Sequence, residues 1–500
     1  MLFCPRRALL CVAAGLAALT IALSVDLSAA DQWIEVKSKH FTAISNAGDR
    51  STRNLLWQLE QMRGAMIALW SWARADLNKP LTVIVVKDEN SMRALAPEYW
   101  EKRGAVHPAS LWLSGADQHY LVMRADVEVD ARPTTNPYIT TYFSYAGLVF
   151  YQSADRDLPY WFERGFIGVL SNTIVRNDEI LVGPIIPWHL TELREQGRLP
   201  FAKLLSVSRR SPEVRQASFT ETFDAQSWAL VHFLMFGDSG KRASQLDAFI
   251  KMVNGGKDVS TAFAEALGTP DAIDSGLQLY VTRQLFQYRR IAIDVGVERG
   301  QFALRQMTPA ESASARALFH AAMRRPTECR AAIAEARKAD PNSAASYTAE
   351  GLLLDSEEKR DEAKAAYAKA VELGTSSAYA HYRLASLKWQ PNPSQALLKE
   401  IEELLAKSIE RNIRDAWSYA WLGDVRTSLG SPDGIALIRR AIALEPRAAR
   451  HRLRAANILL FQGKAADARA DAQAALVLAE TDDERREAEE LLARIAKAGA

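Results

Sequence analysis

Five alanines, Ala336, Ala370, Ala406, Ala441 and Ala475, recur 34, 36, 35 and 34 residues apart, and no other feature of this 500-residue chain restricts its fold as strongly. A period of this length fits one helix-turn-helix unit. A single helical hairpin cannot bury its own apolar face, so successive units must stack and bury it against one another. Other residues keep the same period. Gly351 and Gly423 stand where small residues let paired helices approach, Tyr367 fills a slot between helices, and Pro341 and Pro446 follow the helices that carry Ala332 and Ala441. The unit around Ala385 carries an insertion at Pro391-Asn-Pro393. The array has a clear start. Thr308-Pro309-Ala-Glu311 offers a capping hydroxyl, a proline in the first turn and a glutamate able to reach back, which together signal a helix N-terminus.

These units resemble tetratricopeptide repeats, most clearly from Gly351 to Ala370 and from Gly423 to Ala441. The resemblance implies an all-α solenoid over residues 308–500 with a groove for a peptide or protein partner. An array that is purely structural or self-associating is the competing reading.

Residues 31–305 read differently. Trp33-Ile-Glu-Val36 and His40-Phe-Thr-Ala-Ile44 predict paired strands. Leu55, Leu59, Met62, Met66 and Leu69 then mark one face of a helix. Leu81-Thr-Val-Ile-Val-Val86 is a β-branched run fit for a strand buried on both faces. Ser110-Leu-Trp-Leu113 and His119-Tyr-Leu-Val-Met123 predict a hairpin. Helices follow, among them Ala225 to Met235. The expectation is an α+β domain with strands early and helices late.

Within it, Tyr142-Phe-Ser-Tyr-Ala-Gly-Leu-Val-Phe150 predicts an apolar helix, Asp155 to Asp157 a turn, and Leu158-Pro-Tyr-Trp-Phe-Glu-Arg-Gly-Phe-Ile-Gly-Val-Leu-Ser-Asn172 a second helix. This order, with Ala225-Gln-Ser-Trp-Ala-Leu-Val-His232 beyond it, resembles the gluzincin-type metallopeptidases called peptidase-MA-like. The resemblance implies a zincin-like fold for residues 31–305, a His-Glu-x-x-His helix, and a third zinc ligand after a Leu-Pro-x-Trp segment. Aligned on Leu158, Pro159 and Trp161, the four functional positions fall on Phe143, Ser144, Gly147 and Arg164. Catalytic zinc takes three imidazole, thiolate or carboxylate ligands and an open position for water. A phenyl ring, a hydroxyl, a hydrogen and a guanidinium supply none of these, and no histidine lies between Tyr120 and Trp188. Glu163 is one residue early, and a one-residue slip turns a helical side chain by about 100°. The four are vestigial positions, and the expectation is a pseudoenzyme with no catalytic residue, metal or other cofactor.

Other routes to catalysis are weaker. His107, His119, His189 and His232 would have to converge in space to rebuild a metal site, because no two histidines stand one helical turn apart. An active zinc peptidase with such non-standard ligands is the alternative function. Ser227 and His232 sit about 140° apart on a helix, out of mutual reach. His232 reads as a hydrogen-bonded core histidine, and the Gly255-Gly256 pair as a loop. Trp70, Trp72, Trp112, Trp161, Trp188 and Trp228 read as core or cleft walls.

A formal charge of +2, with 62 basic and 60 acidic residues and no run of like charges beyond short helical faces such as 482–486, does not point to nucleic acid. Residues 1–30, with Arg6 and Arg7, an apolar Ala8–Leu23 stretch and Ser28-Ala-Ala30, predict a signal peptide, and hence a periplasmic or secreted bacterial protein. Membrane attachment follows only if that segment stays uncleaved. Cys4 and Cys11 would leave with it, and Cys329 alone remains, as a helix-packing residue. The function expected is an exported peptide- or protein-binding scaffold that uses its degenerate cleft, the Ser110–Met123 hairpin edge and the repeat groove. A third reading makes the first domain a platform and gives all binding to the repeats.

Overall fold

The computed structural model describes residues 32–70, 72–101, 107–127, 135–153, 158–176, 179–292 and 298–498. The expected signal peptide and the turn at Asp155–Asp157 lie outside the described residues.

The β-branched run becomes the spine of a mixed sheet. Strands β1 (Ile34–Lys37) and β2 (Thr42–Ser45) pair antiparallel, and helix α1 (Asp49–Leu69) follows them. β3 (Leu81–Val86) lies parallel to β2, helix α2 (Glu89–Leu95) comes next, and β4 (Ser110–Ser114) and β5 (His119–Arg124) form the hairpin. Helices α3 (Ile139–Ser153) and α4 (Tyr160–Ser171) lead into a small antiparallel sheet of β6 (Ile174–Val175), β7 (Glu179–Val182) and the later β8 (Arg289–Ala292). Between them run α5 (Ala217–Phe236) and α6 (Ala243–Asn254). The main sheet closes with β9 (Ala303–Gln306) in the order β4-β5-β3-β2-β1-β9.

Strands early and helices late therefore needs correction. β8 and β9 return after the helices, and β9 pairs with β1, Ile34 opposite Gln306. Every residue of β9 is exposed, so it carries no apolar alternation for a sequence pattern to reveal.

Alternation along β3 divides two cores. Val83 and Val85 point with Leu121 and Met123 into the larger one, where α1, α3, α4 and α5 pack. Ile84 and Val86 point the other way with Tyr120 and Val122. That second face is covered by Met92 and Leu95 of α2 and by Phe319, which belongs to α7 (Pro309–Ala322), the first helix of the repeat region. Phe319 is fully buried and meets the Tyr120 ring edge-on at 5.6 Å. Thr308 and Glu311 form the expected capping box at the start of α7.

From α7 the chain is a stack of helical hairpins. α7 packs on α8 (Pro326–Ala339), α9 (Ala344–Ser356) on α10 (Arg360–Glu372), α11 (Ala378–Lys388) on α12 (Gln395–Arg411), α13 (Ala416–Ser428) on α14 (Gly434–Leu444), and α15 (Ala449–Phe461) on α16 (Ala465–Leu478). α17 (Asp482–Ala498) closes the last hairpin. Ala336, Ala370, Ala441 and Ala475 are fully buried where these helices meet. A Cβ on Gly351 would lie 2.7 Å from the Tyr367 ring, and one on Gly423 would lie 2.6 Å from the Gly434 carbonyl. Cys329 is buried, its thiol donating to the Ala317 carbonyl at 3.3 Å. Ala406 breaks the expected pattern. It is half-exposed, and Ser408, two residues on, takes the fully buried position. The insertion before α12 shifts the register of this unit. Among the described residues no helix is long and apolar enough to cross a membrane.

Candidate functional site

Phe143 and Arg164, twenty-one residues apart, come together. They sit on the neighbouring helices α3 and α4, and the guanidinium of Arg164 lies over the Phe143 ring at 4.6 Å from its centre. The same guanidinium grips both carboxylate oxygens of Asp224 on α5, with Nε to Oδ1 at 2.7 Å. The side chains are 22% and 21% exposed, so the pair is only partly shielded from water. Ser144 turns back and donates to the Thr140 carbonyl at 3.1 Å. A Cβ on Gly147 would meet Ile167 at 3.7 Å, an ordinary contact. Glu163 faces elsewhere and pairs with Arg209 at 3.0 Å, its pKa raised by burial that the arginine only partly offsets. Asp224 escapes a reading of the sequence, because an acid sixty positions from its arginine carries no local signal.

The four histidines each have their own partners. His107 meets Glu89 at 2.6 Å, His119 meets the Ser114 hydroxyl at 3.0 Å, and His189 lies against Trp228 with the rings tilted at 39° and their centres 5.7 Å apart. His232 donates from Nε2 to the Gly183 carbonyl and accepts the Tyr280 hydroxyl proton, both at 2.7 Å. Among the described residues no group of three or more His, Cys, Asp or Glu side chains stands close enough to hold a metal ion.

Burial holds His119, His189, His232 and His320 down to about 4. An unfolded chain protonates such groups from about pH 6.5 downward while the folded chain does not. Their contribution to stability is therefore complete above pH 6.5 and is lost as pH falls toward 4. Each contributes on the order of 1 kcal/mol per pH unit within that window. Asp117 opposes this weakly, since burial lifts its carboxyl to about 6. Denaturant midpoints measured between pH 7 and pH 4.5 are expected to fall steadily. A flat profile contradicts the burial of these rings.

A second feature joins the two halves of the chain. Turns of the repeat array dock on the stretch after α1. Arg414 pairs with Asp76 at 2.5 Å, Asn412 donates to the Asn78 carbonyl at 2.8 Å, and Asn78 donates to the Leu444 carbonyl at 3.0 Å. Arg447 covers the Tyr151 ring at 4.7 Å, and Tyr151 donates to Glu480 at 3.1 Å. These contacts leave a cleft of 730 Å³ between the Ala116–Gln118 turn of the β4–β5 hairpin and the first helices of three successive hairpins, α9, α11 and α13. Tyr379, Tyr382 and Trp417 give it aromatic walls, and Lys79, Asp117, Asp415 and Glu445 give it charge. Lys79 donates to the Gly115 carbonyl at 2.8 Å; burial lowers its pKa, and Asp117, Glu445 and Asp415 hold it up. Asp415 is itself raised by burial, against the bonds it accepts from Ser418. Such a slot can hold an extended chain, its carboxylates accepting N–H groups and its rings packing side chains. Beside it β4 forms the sheet edge, paired among the described residues by β5 on one side only.

No known family profile matches this chain, and no curated protein matches it. Solved structures do. The chain is similar to YrrB, described as a TPR protein with an unusual peptide-binding site, at 16% identity and a TM-score of 0.31 over 36% of this chain and 92% of that one. It is similar to a thermophilic TPR protein of Thermus thermophilus at 19% identity and a TM-score of 0.27, over 38% and 98%. It is similar to Pseudomonas aeruginosa pilF at 14% identity and a TM-score of 0.30, over 38% and 89%.

Proposed function

We propose that this chain is an exported, non-catalytic protein, a peptidase-MA-like domain without zinc chemistry joined to tetratricopeptide repeats, and that it binds a peptide segment of a partner protein. The observation that carries this reading is the cleft between Tyr379, Tyr382 and Trp417 on the repeats and the Ala116–Gln118 turn on the sheet. Both halves of the chain supply its walls, which favours joint binding over a reading that leaves the first domain a mere platform. An edge strand at the same end adds backbone donors and acceptors for strand addition.

The loss of zinc chemistry is supported by what replaces it. Where the resemblance implies first and third ligands, a guanidinium stacks on a phenyl ring and is neutralised by Asp224. The alternative, a zinc peptidase with non-standard ligands, needs three of these histidines and nearby carboxylates at one point, and the separate partners of the histidines do not favour it.

Peptides selected from a random library on the full chain are expected to bind with an affinity that Tyr382→Ala and Trp417→Ala each weaken at least about tenfold, the size of truncating a buried aromatic anchor. Unchanged affinity in both variants overturns the cleft as the site. Stoichiometric zinc in the purified wild type, with chelator-sensitive proteolysis, overturns the non-catalytic reading. The assignment of vestigial positions has its own test. Phe143→His, Ser144→Glu, Gly147→His and Arg164→Glu combined are expected to bind one zinc per chain by elemental analysis, and a folded variant that binds none refutes the register.

A further inference from the structure

A separate cavity of 610 Å³ opens between the end of α1, helices α4 and α6, and strand β8. Its volume lies within the roughly 300–1,000 Å³ common for small-molecule sites. Trp72, Phe166, Met235, Leu246 and Ile250 form an apolar wall, and three further observations show that the cavity is more than loose packing. Trp70, also on the wall, is 2% exposed, and its indole N–H finds no acceptor among the described residues. A buried donor in that state is destabilising unless something else accepts from it. One lip carries two neighbouring cations, Arg289 and Arg290. Arg289 makes no ion pair among the described residues, and Arg290 reaches Glu179 only at 3.7 Å while 65% exposed. The other lip is strained: Asp238 and Ser239, just before Gly240, hold φ of 50° and 61°. Residues with a Cβ rarely adopt that region, and such strain gathers at ligand sites. The two acids here are both paired, Asp247 with Lys251 at 2.7 Å and Asp238 with Arg242 at 3.3 Å, so the net character of the mouth is cationic.

We infer that this cavity binds a single acyl chain with an anionic headgroup. The chain packs against Trp72, Phe166 and Ile250, and the headgroup oxygens meet Arg289 and Arg290. Neutral alcohols lack the charge for the mouth, and short carboxylates lack the apolar length for the wall. The headgroup could come from a free long-chain carboxylate or from a membrane phospholipid. A volume of 610 Å³ suits one small molecule and favours the free carboxylate, taken whole.

Calorimetric titration of the full chain with octanoate, decanoate and dodecanoate, each below its micelle concentration, tests this directly. Affinity is expected to rise up to about fourfold for each methylene added. Arg289→Ala combined with Arg290→Ala is expected to weaken dodecanoate about tenfold and to leave dodecanol unchanged. Ala243→Trp, at an exposed helix position on the wall, is expected to plug the cavity and abolish binding while circular dichroism stays native. Affinity independent of chain length overturns the inference. Equal affinity in the arginine variant overturns the headgroup assignment, and undiminished binding in a folded Ala243→Trp variant overturns the location. Phosphatidylglycerol vesicles are the second arm. Binding to them with none to monomeric dodecanoate places the anion on a membrane and refutes the free carboxylate.

Discussion

Replacing Phe319 with alanine is expected to lower the unfolding free energy by about 3–5 kcal/mol, the range for removing a fully buried phenyl ring. The ring has no exposed surface, sits on Tyr120 with Ile84, Val86 and Val122 around it, and belongs to the first repeat helix although it fills the core of the sheet domain. A cavity there weakens both halves at once. Urea titration should show a lower midpoint, and protease should cut sooner near the start of α7. Phe461→Ala is the control, because that ring is 83% exposed and its loss should stay within about 0.5 kcal/mol. Equal effects for the two substitutions would show that α7 does not cover the sheet.

Gly165→Ala should be at least as damaging, by about 3 kcal/mol or more, the upper end for overpacking. Its Cβ would lie 2.2 Å from the Ser227 carbonyl oxygen and 2.7 Å from the carbonyl carbon, both backbone atoms of α5. The side chain cannot yield here, so α4 and α5 must part. Gly168→Ala, one turn later on the same helix, makes the opposite prediction. There the new Cβ would touch the Trp228 side chain at 3.5 Å, ordinary contact, and helix propensity favours alanine by up to about 1 kcal/mol. Thermal melts of the two variants should move in different directions. The Arg164–Asp224 pair bridges the same two helices, so Asp224→Asn should cost less in the Gly165→Ala background than in wild type.

Local chemistry made several elements readable from residues alone. The β-branched stretch at Leu81–Val86, the hairpin from Ser110, the helical face of Leu55 and Leu59, and the Thr308–Glu311 cap all carry their signal within a few residues. What stayed hidden is long-range. β9 is held by backbone pairing to β1 and has no buried side chain. Ser408 displaced Ala406 because the insertion upstream moved the register. At the site, Phe143 and Arg164 could be named only through the family resemblance, and Asp224 could not be named at all, nor could the meeting of Lys79 and Asp117 with Asp415 and Glu445, which stand far along the chain from them. A tertiary cleft built from turns has no periodicity to betray it.

The pairing of β1 with β9 also governs when this protein can fold. Ile34 leaves the ribosome early and waits for Gln306, a contact whose loop-closure entropy must be met before the pairing repays it. Until then one margin of the nascent sheet is unzipped, and its second face, covered in part by Met92 and Leu95, stays incomplete until Phe319 follows. Synthesis stalled short of Ala303 would thus leave an adhesive intermediate, one that invites chaperone capture or aggregation.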